Sequence, residues 1–144
     1  MDEKKKINEV TEQIIGSAID VHRALGPGLL ESAYEACLAY ELISRGLKIE
    51  QQRLLPVIYR DVKLDCGYRL DFVVEKVVVI ELKAIEQILP VHKAQLLSYL
   101  KMSGLKAGLL INFHVKMLKD GVVRLVNNFP DSLRALRSPR LSNL

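Results

Sequence analysis

Apolar residues recur at steps of three and four from Ile7 through Val10, Ile14, Ala18 and Val21 to Leu25, the stripe of an amphipathic helix. Gly26-Pro27-Gly28 stops it, because glycine accepts left-handed geometry and proline cannot extend the ladder. A second helix is predicted over residues 30 to about 45, with Ala33, Cys37, Tyr40 or Glu41, and Ile43 or Ser44 on successive turns, and Gly46 in the C-terminal cap position. The period then changes from helical to extended. Residues 49–53 read as weakly extended and 54–59 as a better strand, with Pro56 marking an edge or a strand start. Arg60-Asp61 reads as a turn. Residues 68–75 and 77–84, the latter rich in β-branched side chains, are predicted strands. Pro90 opens a predicted helix over 91–103 that Gly104 closes, and 107–113 returns to strand. Asp120-Gly121 reads as a hairpin-type turn before a last strand, Val122–Val126. With no repeat and no linker, the economical reading is one α/β domain over residues 1–129 and a basic C-terminal tail, 130–144, expected to fray or add one short helix.

Composition narrows the class. The chain has 144 residues, a length at which roughly 68–70% of the unfolded surface is buried on folding. Hydrophobic residues at 49% and charged residues at 26% argue against disorder. No apolar run approaches the ~18 residues of a membrane span, and the N-terminus Met1-Asp2-Glu3-Lys4-Lys5-Lys6 lacks a signal peptide's apolar segment. Cys37 and Cys66, without metal-site spacing, fit a reducing, cytoplasmic setting rather than a zinc site or disulfide scaffold. The net charge of +4 is uneven: residues 1–100 carry 13 Lys/Arg and 15 Asp/Glu, net −2, and residues 101–144 carry 8 and 2, net +6. A basic C-terminal third suits a polyanion, or is a solubilising surface.

Asp71, Glu81 and Lys83 stand out because they lie inside the two most hydrophobic predicted strands. Residues two apart on a strand share a face, so Glu81 and Lys83 point one way and Ile80 and Leu82 the other. A three-residue loop over 75–77 would pair Val74 with Val78 and set Asp71 opposite Glu81; a two-residue loop would set it against Ile80 and spoil the site. Two converging carboxylates raise each other's proton affinity unless a cation neutralises both. Mg²⁺, or Mn²⁺, does so with oxygen ligands, waters and a substrate phosphate. Lys83 beside them can orient or deprotonate the attacking water, or stabilise charge growing on phosphorus. The competing reading is a cross-strand salt bridge. Glu31, in the first turn of the second helix, is either a further acid of the site or an ordinary helix-start charge. Gln95 and Tyr99 share a helical face with His92 one turn earlier, and Gln95 can hold a water or phosphate oxygen or simply be solvated. His22 reads as a capping or core histidine, and His114 has no evident partner.

Gly28-Leu29-Leu30-Glu31-Ser32-Ala33-Tyr34 resembles the Gly-x-x-Glu-x-x-Tyr signature of the GxxExxY protein family, as does Val21-His22-Arg23-Ala24-Leu25-Gly26-Pro27-Gly28 before it. Asp71, Glu81-Leu82-Lys83 and Gln95-Leu96-Leu97-Ser98-Tyr99 resemble its remaining blocks in order, and the likeness covers about residues 7–127. Leu70 rather than proline precedes Asp71, as in divergent branches of the PD-(D/E)xK nuclease-like superfamily with which the family is grouped. The resemblance implies a restriction-endonuclease-like α/β core, a central mixed β-sheet flanked by α-helices. It also implies a Mg²⁺-dependent nuclease acting on DNA or RNA through metal-activated water. Carried over by position, Glu31, Asp71 and Glu81 would be metal ligands, Lys83 the catalytic lysine, and Gln95 part of the supporting helix. Double-strand cutting would call for two sites, hence an expected homodimer. The alternatives are a non-catalytic nucleic-acid-binding module or partner subunit on the same fold, and a structural protein with a buried ion-pair network.

Overall fold

The computed structural model describes residues 2–129; the expected fraying or short helix of the basic tail lies outside them. Helix α1, Glu3–Leu25, begins at Asp2, whose carboxylate accepts the Lys4 N–H at 3.3 Å, and ends at Gly26. Helix α2 is Glu31–Ser44. Strand β1, Ile49–Leu54, leads to a separate hairpin of β2, Val57–Tyr59, and β3, Val62–Leu64. Then come β4, Arg69–Val74, β5, Val78–Lys83, helix α3, Pro90–Ser103, β6, Ala107–Asn112, and β7, Val122–Val126. The main sheet is five-stranded in the order β1-β4-β5-β6-β7. Only β5 and β6 run parallel, joined through α3, and the other neighbours are antiparallel.

Burial follows from the alternation of the central strands. Phe72, Val74, Val78, Ile80, Leu82, Leu109 and Ile111 pack against Ile7, Val10, Ile14, Ala18 and Val21 of α1 and Tyr34, Leu38 and Leu42 of α2. Val73, Val79 and Leu110 turn the opposite way, onto Leu96, Tyr99 and Leu100 of α3. The sheet is thus enclosed between a two-helix layer and a one-helix layer, and its middle strands are apolar on both sides. Full burial of each such side chain contributes about 1.5–3 kcal/mol.

Three expectations are corrected. The buried face of α2 is Tyr34, Leu38, Ala39 and Leu42, not the predicted stripe of Ala33, Cys37, Tyr40 or Glu41, and Ile43 or Ser44; Tyr40, Ile43 and Ser44 are exposed. Two apolar stripes ran along this helix, and Tyr34 belongs to the one the sheet covers. The strand predicted over 54–59 is broken at Leu55-Pro56, because Pro56 has no N–H for the ladder and starts the separate hairpin instead. That hairpin turns at Arg60-Asp61 as expected, with φ of 49° and 67°. Asp120-Gly121 is no tight hairpin: residues 113–121 connect β6 to β7, closing in a 3₁₀ turn, Leu118–Gly121. Glycine is required at 121 because a Cβ there would strike the carbonyl oxygen of Asn112.

Candidate active site

The β4–β5 hairpin turns through residues 75–77, with Val74 paired to Val78, Val73 to Val79 and Phe72 to Ile80. That is the three-residue connection, and the next position in the same register brings Asp71 opposite Glu81. There the strands stop pairing through their backbones. The Asp71 N–H donates to Glu81 Oε1 at 3.1 Å, and the Leu82 N–H donates to Asp71 Oδ2 at 2.8 Å. Beside it, β5 stays paired with β6 as far as Lys83 and Asn112. The sheet therefore opens between β4 and β5 at the two acids. Local distortion accompanies the opening: Leu70 packs in the α3 layer together with Val73, so strict alternation fails across Asp71.

Glu81 is 9% exposed. Burial, and next the charge of Asp71, push its carboxyl up to about 8, against the lowering effects of the Asp71 N–H and the Lys83 ammonium. Lys83 is half-buried, and none of the ion pairs among the described residues includes it. Its charge lowers the proton affinity of both Glu81 and Glu31 from a distance. The cross-strand salt bridge is thus not formed.

Glu31 reaches this region because the chain corner holds it there. Gly26 and Gly28 adopt φ of 67° and 102°, open to glycine at little cost. The buried Tyr34 hydroxyl donates to the Gly26 carbonyl at 2.6 Å and accepts the Leu29 N–H at 3.1 Å, and its ring stacks on Phe113 at 4.5 Å. Tyrosine at the third position after Glu31 thus pins the corner from which α2 starts. Partial burial, then Asp71, raises the Glu31 pKa; Glu35 also raises it and Lys83 lowers it.

On the α3 side, the pKa of the Tyr99 phenol is raised by burial first and then by Glu81 and Tyr68, with Gln95 acting in the opposite direction. Tyr99 meets Tyr68 with ring centroids 5.8 Å apart. An open groove of about 500 Å³ is lined here by Val57, Tyr68, Gln95, Ser98, Tyr99, Lys101 and Met102. His92 stands apart: its Nδ1 accepts the Leu89 N–H at 2.8 Å and caps α3. His22 is a buried core histidine 2.7 Å from the Val115 carbonyl oxygen, and His114 lies 3.6 Å from Glu86.

Three contributors escaped the sequence reading. Glu35, one turn after Glu31, receives the side-chain amides of Gln51 and Gln52. Gln52 also donates to Asp71 Oδ1 at 3.3 Å. Asn112, 2% exposed, accepts the Ile85 and His114 N–H groups and donates to the Ile85 carbonyl, fixing the chain just beyond Lys83. Glu35 was legible as an acid one helical turn from Glu31; the other two were not, since an amide carries no charge signature.

Mg²⁺ commonly takes one or two protein carboxylates, with waters and substrate oxygens completing its shell. The Asp71–Glu81 pair fits this: all-oxygen donors whose crowding a cation would relieve. The expected three-ligand cluster is not assembled. Among the described residues, no three His, Cys, Asp or Glu side chains gather closely enough to enclose an ion. Glu31 stands in the field of the pair without closing the set.

A mixed five-stranded sheet between helical layers, with two acids and a lysine where its central hairpin opens, is the restriction-endonuclease-like architecture of nucleases. A family model described as the PD-(D/E)XK nuclease superfamily matches residues 8–125, and the chain belongs to that superfamily. No curated protein and no solved structure matches it. Nucleases of this superfamily generally use divalent metal ions, and the class implies a nucleic-acid substrate. Among the described residues no helix is long and apolar enough to cross a membrane.

Proposed function

We propose that this chain is a divalent-cation-dependent nuclease, within the GxxExxY group of its superfamily, that hydrolyses phosphodiester bonds of DNA or RNA. The observation that carries the reading is the meeting of Asp71 and Glu81 where β4 and β5 part. Asp71 and Glu81 hold Mg²⁺ or Mn²⁺, with Glu31 approaching from the start of α2. The ion, when bound, neutralises the acids and polarises the phosphodiester. Lys83 keeps an ammonium beside the acids without pairing to them, where it meets phosphate oxygens and offsets charge growing on phosphorus. Gln95 serves from α3, its amide a neutral donor and acceptor for a water or phosphate oxygen. The neighbouring groove admits a nucleic-acid strand, whose bases can stack on Tyr68, 41% exposed, and meet Lys101 at its edge. The net +6 of residues 101–144 adds sequence-independent attraction to the backbone. We place the catalytic unit in residues 1–129, in a reducing cytoplasm, working as a homodimer where both strands are cut.

The test is incubation with labelled single- and double-stranded DNA and RNA in Mg²⁺, Mn²⁺ or EDTA. Cleavage should require the metal and vanish in folded Lys83→Ala and Asp71→Asn. Binding without cleavage under every metal would replace the nuclease with a non-catalytic nucleic-acid-binding module. Unfolding of both variants, with no metal effect on the native protein, would make the charges structural.

A further inference from the structure

Gln52 has φ of 50° in the middle of β1, although it is neither glycine nor at a turn. Such a conformation is strained for a non-glycine residue and persists only where its surroundings enforce it. It lies opposite Asp71: β1 pairs with β4 at Gln51–Phe72 and again at Arg53–Leu70, with no pair between. Successive strand residues normally point to opposite faces. Here Gln51 and Gln52 both reach Glu35, at 3.2 Å for Gln51 and at 3.0 and 3.2 Å for Gln52. The left-handed turn of the backbone is what brings the second amide around. Its Nε2 then stands between two carboxylates, Glu35 on α2 and Asp71 on β4. The amide orientation is fixed by this, because the flipped form would set its oxygen against carboxylate oxygens.

We propose that Gln52 is a positioning residue for Asp71, with Glu35 as its anchor. The amide holds Asp71 Oδ1 from one side while the Leu82 N–H holds Oδ2 from the other. The carboxylate is thereby fixed before any ion or substrate arrives, and the strained backbone is the cost of that arrangement. The proposal rests on the nuclease reading for what Asp71 then does, but not for how Asp71 is held.

The deciding variants are Gln52→Gly, which relaxes the backbone and removes the amide, Glu35→Ala, and the double variant. Amide hydrogen exchange at Leu82, in metal-free protein with Ile80 as reference, reports whether Asp71 still accepts that N–H. Loss of one such hydrogen bond should speed Leu82 exchange about fivefold to tenfold in each single variant. The double should add little, since both act through one chain of contacts. Gln52→Gly should melt no lower than the native protein, and Mn²⁺ binding by calorimetry should weaken roughly tenfold in the same variants. Unchanged Leu82 exchange in both singles overturns the proposal. So does loss of protection along all of β1 in Gln52→Gly, which would make Gln52 a strand-pairing residue. A native protein that binds no Mn²⁺ and cleaves nothing defeats the nuclease reading alone, because the Leu82 exchange still decides the role of Gln52.

Discussion

Replacing Glu81 by glutamine isolates the charge whose burial the site has to accommodate. The change keeps a side-chain oxygen able to accept the Asp71 N–H and replaces the ionisable carboxyl group with a neutral amide. In the unfolded chain the carboxyl titrates near 4.5, and in the folded protein burial and Asp71 push it up to about 8. Below pH 4.5 both states carry the proton and Glu81 contributes no pH dependence. Between 4.5 and about 8 the unfolded state ionises first, binds fewer protons, and is favoured, so metal-free stability falls as pH rises and levels off above 8. That span of pH corresponds to a ceiling of roughly 5 kcal/mol, at ~1.4 kcal/mol per pH unit. Relaxation and water entry return part of it, leaving an expected ~2–3 kcal/mol. Urea unfolding in EDTA at pH 5 and pH 8.5 measures it. Glu81→Gln should match the native protein within ~1 kcal/mol at pH 5 and exceed it by ~2–3 kcal/mol at pH 8.5. Glu31, whose pKa is also raised, tilts both proteins in the same direction. Parallel stability curves for the two proteins would mean that Glu81 ionises as an ordinary surface acid, and the reasoning would fail.

Tyr34→Phe removes the hydroxyl's two hydrogen bonds, to the Gly26 carbonyl and the Leu29 N–H, in a part-buried corner, and should cost about 1–3 kcal/mol by chemical denaturation. Full native stability would show that the corner does not depend on the hydroxyl. Lys83→Met keeps the apolar stem and deletes the charge that lowers the proton affinity of Glu81 and Glu31. Carbon-13 carboxyl titration should find Glu81 ionising at still higher pH; a downward or absent shift would contradict the long-range coupling.

Much of the frame was legible because it is periodic. The stripe from Ile7 to Leu25, the Gly-Pro-Gly corner and the β-branched run before Glu81 each specify one local geometry. The loop over 75–77 decided the register, and with it the meeting of Asp71 and Glu81. What escaped prediction depends on packing between distant segments. Two stripes on α2 had comparable apolarity, and only the sheet selects Tyr34-Leu38-Leu42. Gln52 cannot be seen as left-handed from its neighbours, since nothing local demands it; the demand comes from Glu35 and Asp71 across the fold. The Asn112 clamp likewise joins residues far apart in sequence. The acids were visible by their incongruity in apolar strands, whereas the number of them that gather at one point was not.

The central claim is that the Asp71 and Glu81 carboxylates share one divalent cation. Anomalous diffraction from crystals equilibrated with Mn²⁺ tests it most directly. The expected result is a single strong peak within about 2.1–2.3 Å of an oxygen from each of Asp71 and Glu81, absent in crystals of Asp71→Asn. Saturating Mn²⁺ with no peak between these two side chains would contradict the account.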